Sequence, residues 1–172
     1  LQLWIEFMAF SVALLFVGML GAVPMAGHQI ALMLAALTYM VPLGVSAAAA
    51  VLVGHAVGRG DPRAARREAS AALACGIGFM SVTAIILVSF APWLARAFTA
   101  DQAVLAVAAI LIPIAGVFQV FDGIQGVSAG ILRGAGDTRI PMWSNLAGYS
   151  VALPLGAWLC FRWGWGAPGI WW

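Results

Sequence analysis

An all-α, membrane-spanning helix bundle is the fold class this 172-residue sequence predicts, on three observations. Hydrophobic residues make up 64% of the chain and charged residues only 8%, where soluble domains run near a quarter charged. Residues 7–58 carry no Asp, Glu, Lys or Arg, a run far longer than the roughly 20 residues one crossing helix needs. Turn-forming clusters then recur at intervals of about one span. A soluble fold lacks the interior to hide this much apolar surface, because even a well-packed domain needs a polar exterior.

The turn clusters place each element. Gly21-Ala-Val-Pro24-Met-Ala-Gly27-His28 divides the first uncharged run into helices over about 1–22 and 29–57. The second contains Pro42 and Gly44, where a kink is expected. Gly58-Arg59-Gly60-Asp61-Pro62 is the next break, with Asp61 suited to an N-cap and Pro62 to the first helical position. A third helix follows over about 64–95. Thr99-Ala-Asp101-Gln102 fits a capping box and opens a fourth over about 102–132. Gly134-Ala-Gly136-Asp137 ends it as a C-cap and turn. A fifth helix covers about 140–162, with Pro154 inside. After the turn at Gly164-Trp-Gly-Ala-Pro168-Gly169, a further helix begins at about 169. The predicted architecture is five complete spans and the start of a sixth, and the chain reads as a piece of a longer protein.

Charge sets the orientation. All eight basic residues are arginine. Arg59, Arg63, Arg66 and Arg67 flank one loop and Arg133 and Arg139 another, leaving Arg96 and Arg162 for the opposite side. Arginine excess marks cytoplasmic loops, and strict alternation of the helices puts all six on that side of a bacterial inner membrane. Trp93, Trp143, Trp158, Trp163 and Trp165 fall at helix ends, as in an interfacial aromatic belt meeting membrane lipid. Nucleic acid is excluded as a partner, since the arginines form two short clusters and no broad basic face. Cys75 and Cys160 lie inside apolar runs, so no disulfide framework is implied.

Two acidic residues stand apart from the loops. Glu6 lies in the first apolar stretch and Asp122 deep in the fourth. An Asp at the centre of a membrane helix costs about 2.5–3.5 kcal/mol on insertion scales. Such a group faces the bundle interior or a hydrated cavity and marks an ion or substrate pathway. A carboxyl bonded to a neighbouring helix for packing alone is the structural alternative. Gln119 and Gln125, three residues to either side of Asp122, extend it into one polar stripe. Pro42, Pro113 and Pro154 are candidate hinge points, and Met33, Met40, Phe7, Phe10 and Phe118 candidate apolar lining.

Other signals carry less. Gly126-Val-Ser128-Ala-Gly130 spells the nucleophile elbow of serine hydrolases, which needs a strand-to-helix turn. Inside a helical span these small residues serve close helix contact. An intramembrane serine protease, the enzyme alternative, needs a histidine at membrane depth, whereas His28 and His55 fall near predicted helix ends as interfacial polar residues. Arg59-Gly60-Asp61 is a chance turn, and no metal-ligand cluster is visible.

The run Phe121-Asp122-Gly123-Ile124-Gln125, continuing through Gly130-Ile-Leu132-Arg133-Gly134-Ala-Gly136-Asp137-Thr138-Arg139-Ile-Pro141, resembles the C-terminal lobe of MATE (multidrug and toxic compound extrusion) exporters of the NorM-like branch. Ala26-Gly27-His28-Gln29-Ile30, Tyr39-Met40-Val-Pro42-Leu-Gly44 and Val53-Gly54 through Gly60-Asp61 agree in order, so the resemblance covers nearly the whole chain. It implies two six-helix lobes facing each other across a cleft, with this chain as one lobe and the N-terminal lobe of the same protein as its partner. It implies a secondary exporter that exchanges organic cationic drugs for H+ or Na+, without an enzymatic step or a further cofactor. The family's cation-binding carboxylates match Glu6 and Asp122, and Gln119, Gln125, Tyr39 and Phe118 are candidate cleft residues. Where some relatives carry a tyrosine one turn before the Asp, this chain has Phe118, so H+ and Na+ both stand as coupling ions. A lipid-linked oligosaccharide flippase of the same superfamily would be expected to line its cleft with arginines. Here the arginines stay at loops and helix ends.

Overall fold

In a computed structural model, the backbone of residues 2–171 and the side chains of residues 8–171 are described. Six helices follow one another: α1 (Gln2–Met19), α2 (Ala22–Gly58), α3 (Pro62–Phe98), α4 (Gln102–Gly134), α5 (Arg139–Phe161) and the short α6 (Pro168–Trp171). There is no strand among the described residues. Three of the helices, α2, α3 and α4, are long and apolar enough to cross a membrane. At 33 to 37 residues each, they extend to about 50 Å or more at 1.5 Å per residue. The 23-residue α5 has the length for a crossing but is diluted by Ser144, Asn145, Tyr149 and Ser150. In α1, the described residues form an apolar helix over Met8–Met19.

The helix ends follow local chemistry. Asp61 caps α3, its Oδ1 accepting from the Arg63 and Ala64 amides at 3.0 and 2.9 Å, with Pro62 at the first position. Gly60 and Gly136 take left-handed φ values of +68° and +87°. Behind them the Asp61 and Asp137 amides reach back to the Ala56 and Leu132 carbonyls, closing α2 and α4 in the way a glycine C-cap does. Two expectations need correction. The second helix starts at Ala22, not near 29, because Pro24 falls in the first turn, where a missing N–H costs nothing. Gly27 and His28 are therefore inside the helix. The capping box at Thr99–Gln102 does not form: Asp101 is the cap, accepting from the Ala103 amide at 2.8 Å, while Thr99 accepts from the Asp101 amide at 3.1 Å.

Glycines decide how closely the central helices pack. A Cβ added at Gly27 would stand 2.6 Å from Val107 Cγ1, and one at Gly134 would stand 2.5 Å from the Ala50 carbonyl. Both ends of α2 therefore press on the matching ends of α4, and the two run parallel. Along α3 the order reverses, with Gly116 against Leu87, Gly123 against Met80 and Gly76 against Val127. Close approach at small residues is the usual basis of helix association in lipid, where burial of apolar surface offers no drive. The buried core of Ala31, Leu34, Leu87, Ala91, Leu111, Ile112 and Ala115 lies where these three helices meet. With α2 and α4 parallel, the loops bearing Arg59–Arg67 and Arg133–Arg139 emerge at the same end, as alternation requires.

The break in helical dihedrals among the described residues lies away from Pro42, Pro113 and Pro154. Phe90, with φ −114° and ψ 15°, is the non-helical residue inside α3. It lies two residues before Pro92, whose ring displaces the carbonyl four residues back and which lacks an N–H to donate. Helices α2, α4 and α5 carry Pro42, Pro113 and Pro154 with no such break. The exposed Trp93, Trp143, Trp158, Trp163 and Trp165 fall at or near helix ends.

Candidate functional site

Asp122 follows Gln102 by twenty residues and precedes Gly134 by twelve, which is about 30 Å and 18 Å of helix. It is half-buried. The other described acids, Asp61, Glu68, Asp101 and Asp137, all lie at or near helix ends. Asp122 therefore stands far from both ends of α4. The side chain of Glu6 lies outside the described residues. Its backbone is in α1, one turn before Phe10.

The expected single polar stripe on α4 is divided by the packing. Gln119, only 2% exposed, turns toward α2 and α3. Its Oε1 accepts from the Thr38 hydroxyl at 2.6 Å and its Nε2 donates to Thr83 Oγ1 at 2.9 Å. The Thr83 hydroxyl donates onward to the Met80 carbonyl at 3.0 Å. This amide is engaged in joining three helices. Gln125 turns the other way and donates from Nε2 to Asn145 Oδ1 of α5. Asp122, 60° from each along the helix at 100° per residue, lies between these two directions.

Below Asp122, α4 presents Gly126, Gly130 and Gly134 to α2. Ser46 donates to the Gly126 carbonyl at 2.7 Å and accepts from Arg133 Nη2 at 3.1 Å. Tyr39 is half-buried, and its hydroxyl would stand 2.5 Å from a Cβ placed at Gly126. The small residues around Ser128 thus serve helix contact. Residues 126–130 are continuous helix, not the strand-to-helix elbow a serine nucleophile needs.

On the other side of Phe118, away from the arginine-bearing loops, a pocket of about 140 Å³ opens between α1, α2, α4, α5 and α6. Phe10, Phe16, Phe118, Tyr149 and Trp171 supply its aromatic wall, with Ala9, Ala13 and Gly156 among the small residues between them. The Phe118 and Trp171 rings meet edge to face at 6.2 Å. His28 also lines it. Contrary to its expected interfacial place, His28 is 5% exposed and accepts at Nδ1 from Trp171 Nε1 at 3.0 Å. No pattern in the sequence joined His28 to Trp171, 143 residues apart. Met33 and Met40 are exposed, and neither lines this pocket; Phe7 lies outside the described side chains. Among the described residues no group of His, Cys, Asp and Glu is placed to hold a metal ion.

Comparison with known proteins adds the family. The MatE model matches residues 1–158. The multidrug resistance protein NorM of Burkholderia vietnamiensis is 46% identical over 163 residues, covering 91% of this chain and 35% of that protein. A probable multidrug resistance protein NorM of Xanthomonas axonopodis pv. citri is 45% identical over 163 residues, covering 94% of this chain and 36% of its own length. This chain thus spans little more than a third of the curated relatives it matches. An outward-facing multidrug resistance MATE family transporter of the MOP superfamily superposes with a TM-score of 0.87 at 18% identity. It covers 99% of this chain, which takes up 38% of that structure and matches it in fold. With the family's pattern matched over nearly its whole length and folded into the same helical lobe, the chain belongs to the MatE family.

Proposed function

We propose that this chain is the C-terminal lobe of a secondary active multidrug exporter, which trades organic cationic drugs for H+ or Na+ across a bacterial inner membrane. The observation that carries the reading is the depth of Asp122. It is a carboxyl well inside α4, half-buried between the direction that meets α2 and α3 and the one that meets α5, where a charge without a function is a net cost. Asp122 is the main coupling residue, and Glu6 in the chain's first span is its nearest acidic partner. Ion and drug cation compete there for one negative charge, so loading one expels the other by mass action and repulsion. Phe118 and Tyr39 form the apolar and aromatic flanks of the site, and Gln125 holds the α5 side through Asn145. The missing lobe completes the cleft, membrane lipid surrounds it, and the arginine-rich loops face the cytoplasm.

Asp122→Asn tests the reading, because it keeps shape and most hydrogen bonding while removing the titratable charge. In the full-length protein, at matched membrane levels, it should abolish ion-driven ethidium or fluoroquinolone efflux. Glu6→Gln should weaken efflux similarly or less. Wild-type efflux by Asp122→Asn would make this carboxyl structural.

A further inference from the structure

The pocket beyond Phe118 has a feature the coupling site does not use. Trp171 Nε1–H can only donate, so the Nδ1 atom of His28 that receives it carries a lone pair. In the neutral ring the proton is then on Nε2. Among the described residues no hydrogen bond runs from Nε2, and no buried side-chain nitrogen or oxygen is left without a partner, so Nε2 is reachable from the pocket that the otherwise buried His28 lines. An N–H donor reaching an otherwise apolar pocket favours a ligand that brings an acceptor, because a molecule that covered it without one would bury the donor unmet. The rest of the wall is aromatic, through Phe10, Phe16, Phe118, Tyr149 and Trp171. Its volume of about 140 Å³ is close to that of engineered apolar cavities of about 150 Å³ that take up a benzene ring. Two residues of its wall, Phe10 and Phe118, are 48% and 43% exposed.

From this geometry we infer that the pocket is a binding subsite for a single aromatic ring bearing a hydrogen-bond acceptor, with the acceptor on His28 Nε2–H and the ring among Phe10, Phe118 and Trp171. A fused-ring molecule would insert only one end. A saturated acyl chain fills the apolar part but leaves the donor unmet. An aryl ammonium brings a donor where an acceptor is needed. The inference does not rest on the coupling role of Asp122, since it concerns equilibrium binding and needs no gradient.

The experiment is a fluorine NMR titration of the detergent-solubilised full-length protein with 4-fluorobenzamide, fluorobenzene and 4-fluorobenzylammonium, with empty micelles as control. The amide should bind saturably and about tenfold more tightly than fluorobenzene, the worth of one hydrogen bond in affinity. The ammonium should bind no better than fluorobenzene. His28→Phe, which keeps a ring and removes the donor, should bring amide and fluorobenzene to within twofold. Ala13→Phe, which fills the pocket, should abolish saturable binding of both. Lack of saturable amide binding, or equal binding of amide and fluorobenzene as an acyl-chain site would give, overturns the proposal. So does a preference that survives His28→Phe, or binding that survives Ala13→Phe. Should either variant fail to fold, the ranking of the three probes on the unaltered protein decides by itself.

Discussion

Gln119→Leu separates a cleft amide from a structural one. Leucine has nearly the volume of glutamine, so the change removes two interhelical hydrogen bonds while leaving the packing of α4 against α2 and α3 largely in place. Neither partner is stranded by the loss. The Thr38 hydroxyl has the Leu34 and Ala35 carbonyls within 3.1 and 2.9 Å on its own helix, and Thr83 already donates to the Met80 carbonyl. Interhelical hydrogen bonds within membranes average about 0.6 kcal/mol and reach about 1.7. Two such bonds, with the threonines resatisfied locally, amount to about 1–2 kcal/mol. The full-length variant should therefore unfold at a temperature lower by a few degrees in detergent, with drug efflux keeping its apparent affinity within about twofold. Thermal unfolding and efflux titration on the same preparation test both halves. An unchanged unfolding temperature together with a tenfold loss of drug affinity would refute the structural assignment and return Gln119 to the cleft.

Gly130→Val should cost more than Gln119→Leu, because Gly130 packs directly on the Ser46 backbone and side chain and overpacking typically costs about 1–3 kcal/mol. Reduced membrane yield and a lower unfolding temperature would show it, and wild-type values for both would contradict the seam. Pro92→Ala restores an N–H to α3 and should straighten the bend at Phe90, lengthening the spin-label distance between positions 70 and 97. An unaltered distance would place the cause of the bend elsewhere. Cysteines placed at positions 60 and 136, after Cys75 and Cys160 are replaced, should resist an impermeant reagent applied to intact cells. Strong labelling from outside would reverse the orientation.

The helices themselves were legible because their signals are local. Asp61 followed by Pro62 caps α3 as expected, and Gly136 closes α4, since both need only a few neighbouring residues to act. The start of α2 was misplaced because Pro24 and Gly27 break helices in water and in helix interiors, yet the first is harmless in a first turn and the second is needed for contact with Val107. Distances along the chain were the harder part. The pairing of Thr38 with Gln119 spans 81 residues and that of His28 with Trp171 spans 143, and no periodicity in one helix reports on the partner it will meet.

That limit bears directly on reading function from polar residues in a membrane chain. Hydrocarbon offers nothing to a polar side chain, so each must find a partner within the protein or in what the protein binds. Composition shows that a polar group is present but not which of the two it finds. Gln119 and Gln125 stand symmetrically about Asp122 in sequence, and their equal spacing made them look like one surface. The glycine contacts break the symmetry. Close approach of α2 and α3 to α4 at Gly116, Gly123 and Gly126 places Gln119 inside a three-helix junction, where Thr38 and Thr83 use both ends of its amide. No comparable set of glycines draws α5 onto α4. On that side the helices stand apart enough for a pocket, and Phe118, Tyr149 and His28 line it. Gln119, inside the glycine seam, thus has both ends of its amide engaged by neighbouring helices, whereas Asp122 stands between that closed seam and the open side.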